Sequence, residues 1–322
     1  MIRLSYGTAA CLGLVSGRTD AYPTTAYLLS GNNCLMKCAF CSQGADKKAF
    51  NRLGRIKWPE YTWDEVSNIL TRAEDKGIHR ICLQSVRHAD GIMFPLKIVE
   101  RIKAASSLPL SVSAWIRNKE EAVALRTAGV DRISVSLDVV NPEAYKKIKG
   151  GSFQNRLELL LSCAQALPGQ ISTHIICGLG ETEEETLILI DRLIQADITV
   201  ALFAFMPLKG TPMEKVKPPS VNYYRRIQAG YYLLHEKIIT LSEFIFSNGS
   251  LVLYGLPEKE LDRIFSGGAA FQTSGCPDCN RPYYNERPGG VIYNYHRPLS
   301  NTELRAALLE SLICRQKEKV II

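Results

Sequence analysis

Three cysteines fall within the segment CLMKCAFCSQG, residues 34–44, spaced Cys34-x3-Cys38-x2-Cys41. A closed structural metal site takes four ligands and a disulfide takes two. Three thiolates on one short loop can hold three corners of a [4Fe–4S] cube, leaving the fourth iron without a protein ligand. An open coordination position is how a protein reserves a metal for something that comes and goes. A zinc knuckle with one remote ligand is the plainer alternative, but this spacing is unusual for zinc. A second pair, Cys276-x2-Cys279, stands in SGCPDCNRPYYNERPGG (274–290), flanked by Gly and Pro as in a metal or cluster loop. Two thiolates do not complete a cubane. Cys11, in the small-residue run GTAACLG, is the expected third ligand; Cys314, Ser300, Ser274 or an external sulfide is the expected fourth. Cys82, Cys163 and Cys177 read as buried apolar cysteines.

These loops need a scaffold, and the chain supplies strand–loop–helix units at regular spacing. TAYLLSG (25–31) reads as a buried strand running directly into the first cysteine loop. Further strands are expected at 79–85, 108–115, 131–138, 170–180 (running into a glycine turn), 198–208 and 242–248. Amphipathic helices alternate with them, as in TWDEVSNILTRAEDKG (62–77), where Thr62 and Glu65 form a capping box and Gly77 is a stop signal. Such alternation predicts a parallel sheet with outer helices, in a full or partial (β/α) TIM-type barrel. Chemistry in such barrels sits at the C-terminal ends of the strands, where the first cysteine loop falls. The expected organisation is an N-terminal extension over 1–21 contributing to an auxiliary cluster, a barrel over 22–265, and an irregular segment over 266–322 laid against it and carrying the second cysteine loop.

The bulk composition narrows the class. Of 322 residues, 46% are hydrophobic and 22% charged, ordinary for a globular protein with a sizeable core. The apolar runs are strand-sized, shorter than the ~18–20 residues that cross a bilayer, and no signal-peptide pattern opens the chain. A cytoplasmic, non-membrane protein is expected. The net charge of +7 is scattered, without the basic density of a nucleic-acid arm.

Cys34-x3-Cys38-x2-Cys41, with Phe40 before the last cysteine, resembles the signature of the radical S-adenosylmethionine (SAM) enzymes. The resemblance implies that the open iron binds SAM and that one electron cleaves it to a 5′-deoxyadenosyl radical. It extends over roughly residues 22–250. ICGLGET (176–182), with Gly178 and Glu181, is similar to the family's fifth-strand glycine turn, and FMPLKGTP (205–212), with Met206 and Pro207, to a sixth-strand motif of biotin-synthase-like members. SVSLD (134–138) places Ser136 and Asp138 where relatives set polar groups near SAM. The second-strand motif departs from the family pattern: LQSV (83–86) offers Gln84 and Ser85 instead.

A true biotin synthase is not expected. Cys82 matches one position of that enzyme's second cluster, but the third strand has no cysteine and the late strand no arginine. A second [4Fe–4S] cluster on Cys276, Cys279 and Cys11 most resembles a biotin-synthase-related subunit of the two-component lipoyl synthase of archaea and some bacteria. That resemblance implies sulfur insertion at C6 or C8 of an octanoyl-lysine on a lipoyl carrier protein. It also implies a second radical SAM subunit and a ferredoxin or flavodoxin as electron donor. Arg281, Tyr283, Tyr284, Asn285 and Arg287 are expected to position the acyl-lysine or lock the loop. A radical mutase without sulfur insertion and a non-catalytic iron–sulfur carrier are the alternatives.

Overall fold

A computed structural model describes residues 1–16, 21–44, 52–286 and 289–311. In chain order the elements begin with β1 (Ile2–Leu4), α1 (Tyr6–Cys11), β2 (Thr25–Ser30), β3 (Arg52–Leu53), β4 (Ile56–Lys57), β5 (Glu60–Tyr61) and α2 (Trp63–Leu70). There follow β6 (Arg80–Ser85), α3 (Met93–Ala105), β7 (Leu110–Ser113), α4 (Lys119–Thr127), β8 (Arg132–Ser134), α5 (Pro142–Ile148), α6 (Phe153–Ala166), β9 (Ile171–Cys177), α7 (Glu183–Gln195) and β10 (Thr199–Ala204). The chain continues with α8 (Val221–His235), β11 (Ile245–Ser247), β12 (Ser250–Leu253), α9 (Glu258–Phe265) and α10 (Asn301–Glu310).

The main sheet has the order β10-β9-β8-β7-β6-β2-β1-β5. From β2 to β10 every pairing is parallel; β1 joins β2, and β5 joins β1, antiparallel. This is the expected parallel α/β architecture, as a partial barrel. Parallel strands bury both faces. Ile81, Leu83, Val112, Ile133 and Ile175 belong to the main hydrophobic core, whereas Cys82, Gln84, Ser111, Ser113, Ser134, Ser172 and His174 line the interior cavity.

Two expectations change. The strand expected at 242–248 is not a barrel strand: Ile245–Ser247 folds back on Ser250–Leu253 as a separate hairpin across Asn248 and Gly249. Nor is β1 a detached extension, since it is a member of the sheet. The C-terminal segment does more than lie against the barrel. From 273 to 286 it runs from β10 to β2, bridging the gap that an open sheet leaves. The amide of Leu202 in β10 donates to Ser274 Oγ at 2.9 Å, and the Thr24 amide beside β2 donates to Asn280 Oδ1 at 3.0 Å. Gly275 allows this approach: its φ is +121°, and a Cβ there would lie 2.9 Å from that of Ala201.

Candidate functional site

The barrel encloses a cavity of about 300 Å³, with a set of three thiols at each end. At the mouth, beyond the C-terminal end of β2, lie Cys34, Cys38 and Cys41, which line the cavity together with Phe40. Their loop is held by backbone hydrogen bonds, within itself and to its neighbours. Cys34 N donates to Gln43 O, Leu35 N to Arg87 O, Cys41 N to Cys38 O, and Ala39 N to Ile148 O at the end of α5. Two amides point at sulfur: Arg87 N lies 3.3 Å from Cys34 Sγ and Gln43 N 3.4 Å from Cys41 Sγ. Arg3 of β1, only 1% exposed, pins the loop by donating to Gly31 O and, at 3.0 Å, to Gln43 Oε1.

Burial pushes the Cys38 thiol up to about 12 and the Cys41 thiol up to about 11. Without a metal these thiols are neutral at physiological pH. A bound cation reverses that balance, because a coordinating thiol gives up its proton.

At the floor, near the N-terminal ends of the strands, stand Cys82 on β6 and Cys276 and Cys279 on the bridging segment. Burial raises the Cys82 thiol most, and Cys276 and Cys279 raise it further. Tyr27 OH lies 3.4 Å from Cys279 Sγ and accepts from Arg281 N at 3.0 Å. Arg80 Nε donates to Pro277 O at 3.1 Å. The Arg281 guanidinium lies 4.0 Å over the Phe203 ring and donates to Ser274 O at 2.6 Å. Its charge opposes the rise of the Cys82 and Cys279 thiols.

Cys11 is not part of this set. Its thiol sits at the end of α1, 3.5 Å from the Lys76 carbonyl, and does not line the cavity. The correction is one of topology: α1 packs outside the sheet, whereas position 82 faces inward. The alternation Ile81-Cys82-Leu83-Gln84 carried that signal, because Cys82 shares the inward parity of Gln84. Cys163 and Cys177 are buried in the core, as expected. Ser300 caps α10 and does not line the cavity. Ser274 lines the cavity, but on the β10 side. Cys314 and Arg287 lie outside the described residues.

Between the two thiol sets, Gln84, Ser136, Asp138 and Met206 line the cavity, but Gly178, Glu181 and Pro207 do not. Glu181 closes the glycine turn instead, accepting from Gly178 N at 2.5 Å, Leu179 N at 2.9 Å and Tyr223 OH at 2.6 Å. Asp138, with φ +66°, pairs with Lys149 at 2.6 Å, and Lys149 also holds the carbonyls of Ser136 and Leu137. Lys149 is the main opposition to the rise of Cys38. His174, midway along β9, meets Ser134 Oγ at 3.5 Å and Phe203 edge-on. Burial lowers it to about 4, so it is a neutral imidazole.

Arg281, Tyr284 and Asn285 line the cavity, whereas Tyr283 turns outward against His296. Sequence reasoning missed Glu286, whose buried carboxylate accepts from the amides of Asn285, Tyr293 and Asn294 and organises the segment. It also missed Tyr27, Ser111 and His174, which strand parity alone could have pointed inward.

The profile of the radical SAM superfamily matches residues 28–193. The chain belongs to the radical SAM superfamily. It is 24% identical over 259 residues to the GTP 3′,8-cyclase of Petrotoga mobilis, covering 78% of this chain and 74% of that one. It is 26% identical over 192 residues to the GTP 3′,8-cyclase of Limosilactobacillus fermentum, covering 58% and 55%. To the biotin synthase of Coxiella burnetii it is 26% identical over 194 residues, covering 57% of each. The chain thus spans little more than half the length of the last two relatives. Among solved structures, the [FeFe]-hydrogenase maturase HydG superposes with a TM-score of 0.55 at 15% identity, covering 66% of this chain and 50% of that one. Methylornithine synthase PylB superposes with a TM-score of 0.52 at 19% identity, covering 66% and 62%. These likenesses show the fold.

Membership of the radical SAM superfamily implies SAM and a [4Fe–4S] cluster. The mouth fits that cluster: three thiols and no fourth protein ligand on the loop, amides aimed at two sulfurs, and an open cavity beside them. Among the described residues no three His, Cys, Asp or Glu side chains converge on a single metal ion. No helix among them is long and apolar enough to cross a membrane.

Proposed function

We propose that this radical SAM enzyme inserts sulfur into an unactivated C–H bond, at C6 or C8 of an octanoyl chain borne on a lysine, in lipoate formation. One observation carries the reading: two sets of three thiols line opposite ends of one cavity. A chain lying in that cavity lies between a place where hydrogen is abstracted and a place where sulfur is held. When bound, the mouth cluster supplies the electron that cleaves SAM, and an auxiliary cluster supplies the sulfur. Cys34, Cys38 and Cys41 hold the first; Cys82, Cys276 and Cys279 hold the second.

The rest falls to the cavity wall. Ala114, Ile176, Ala201 and Phe203 give an aliphatic chain an apolar surface worth roughly 0.8 kcal/mol per buried methylene. The similarity to biotin synthase supports the same branch of chemistry. The proposed partners are a lipoyl carrier protein, a second radical SAM subunit sharing the two insertions, and a ferredoxin or flavodoxin. The net charge of +7 suits an acidic carrier.

A second reading, radical cyclisation or rearrangement without sulfur, draws on the match covering 74% of a GTP 3′,8-cyclase. A triphosphate needs several available cations. The cations lining this cavity among the described residues are engaged: Lys149 with Asp138, Arg156 with the Ile116 and Ser136 carbonyls, Arg281 with Ser274 O and Phe203, and Arg87 with Met36 and Trp115. The deciding experiment incubates the reconstituted enzyme with SAM, dithionite and an octanoyl-lysine peptide, alone and with a candidate partner subunit, read by mass spectrometry. A product carrying added sulfur is expected. A product of unchanged mass, or turnover of GTP instead, overturns the proposal.

A further inference from the structure

A second cavity, of about 460 Å³, lies between the start of α1, the β3–β4 hairpin and the bridging segment. That is the size of a ligand site. Its wall is apolar and aromatic, with Tyr6, Pro23, Ile56, Pro282 and Tyr283. Tyr6 and Lys57 are exposed, so it opens to solvent between them. At its other end Tyr27, Arg281 and Tyr284 line this cavity and the reaction cavity alike, so a layer of side chains parts the two. Two features mark that partition. Arg281 and Tyr283, on either side of Pro282, have φ of +37° and +55°, a conformation that L side chains adopt at a cost and that recurs at ligand clamps. Arg281 Nε is buried and has no hydrogen-bond partner among the described residues, although a buried donor ordinarily has an acceptor. The rim carries one sign of charge. Arg52, Arg55 and Lys57 of the hairpin are exposed, and none of them forms an ion pair among the described residues.

We propose that this cavity is the vestibule for an acylated lysine presented by an acidic protein, with Tyr27, Arg281 and Tyr284 as the neck into the reaction cavity. The assignment rests on the proposed acyl-lysine substrate and goes beyond it by giving that substrate its route and its recognition. The occupant follows from the wall. Among the described lining residues there is no Asp or Glu, so a free lysine ammonium would lose its hydration without meeting a carboxylate. Acylation removes that charge, and the aliphatic arm suits the apolar surface. An amide carbonyl arriving at the neck gives Arg281 Nε the acceptor it lacks. The chain beyond the amide then extends into the reaction cavity, and its far carbons come to lie between the two thiol sets. Outside, the cations of the hairpin match acidic residues beside the modified lysine and steer its approach.

The test measures binding of an octanoyl-lysine peptide, flanked by Asp and Glu, to the anaerobically reconstituted full-length chain. The peptide should bind, and its unacylated form should not. Gly7→Phe fills the vestibule from α1, where a Cβ would meet only Pro23, at an ordinary 3.8 Å. It should weaken binding roughly tenfold or more by obstruction. Reversing Arg52, Arg55 and Lys57 to Glu should weaken the acidic peptide by roughly tenfold, as three exposed pairs would, and leave a peptide with neutral flanks little changed. Lys97→Glu, on exposed α3, should leave binding as it was. A diazirine placed beside the modified lysine should cross-link the unaltered chain within residues 5–7, 55–57 or 282–283. That map decides the route even if Gly7→Phe does not fold, which circular dichroism reports. Cross-links at Met36 or Leu208 by the mouth, or full affinity in a folded Gly7→Phe variant, overturn the vestibule while leaving the acyl-lysine reading standing. Failure of the acylated peptide to bind the unaltered chain overturns both.

Discussion

The mouth and the floor of the cavity hold the same number of thiols and are assembled in opposite ways. At the mouth one short loop supplies all three, and one of its own amides, that of Gln43, points at Cys41 Sγ. At the floor one thiol comes from a strand near the start of the sheet, and two come from a segment joined to β2 and β10 only by tertiary contacts. A local site is written in the spacing of its residues. A non-local site exists only once the fold has closed around it.

The largest effect that tests this contrast is replacement of Cys34, Cys38 and Cys41 by alanine. SAM cleavage should fall below detection while about four irons remain at the floor, measured by 5′-deoxyadenosine release and iron analysis. Next in size, Cys82→Ala should abolish sulfur insertion and halve the iron content while leaving SAM cleavage within about twofold, because the mouth keeps its ligand set. If Cys11→Ala had that outcome and Cys82→Ala did not, Cys11 would belong to the floor and Cys82 would not.

Arg3→Met should weaken only the mouth. It removes the buried donor to Gly31 O and one donor to Gln43 Oε1, a cost of about 1–3 kcal/mol. Iron should be lost from the mouth first, and the floor signal should persist through a chelator titration.

His174 lies between the two sites and has a pH signature. Its folded value, about 4, is below the ordinary 6.5, so the unfolded chain binds the extra proton between those values. Stability of the metal-free protein should therefore fall as pH drops from 6.5 towards 4, by at most about 3 kcal/mol. Urea unfolding at pH 7 and pH 4.5 checks the sign, and His174→Phe should remove most of the difference. The smallest effect is expected from Cys163→Ala, which should cost about 1 kcal/mol of stability and leave both iron sites loaded.

The legible parts of this molecule are the local ones. The six parallel strands were readable because each is an apolar run followed by an amphipathic helix, and the capping box at Thr62 and Glu65 formed as its spacing required. The hairpin at 245–253 misled because a short apolar run has the same pattern in a barrel and in a two-stranded ribbon. Cys11 looked a better partner for Cys276 than Cys82 because sequence shows neighbourhood along the chain and not across a sheet. Glu181 stands in a glycine motif, and the carboxylate is consumed by that turn rather than offered to the cavity. Arg3 had no signal at all, since nothing in an N-terminal IRL marks it as the clamp on a loop 40 residues away.

The bridging segment also sets an order of events during synthesis. Thr24 meets Asp278 and Asn280, so the wall cannot be completed until the ribosome has delivered residues 278–280. The six strands and the mouth loop emerge well before that, and domains fold as their parts appear. The nascent barrel therefore passes through a stage with its mouth formed and its side open.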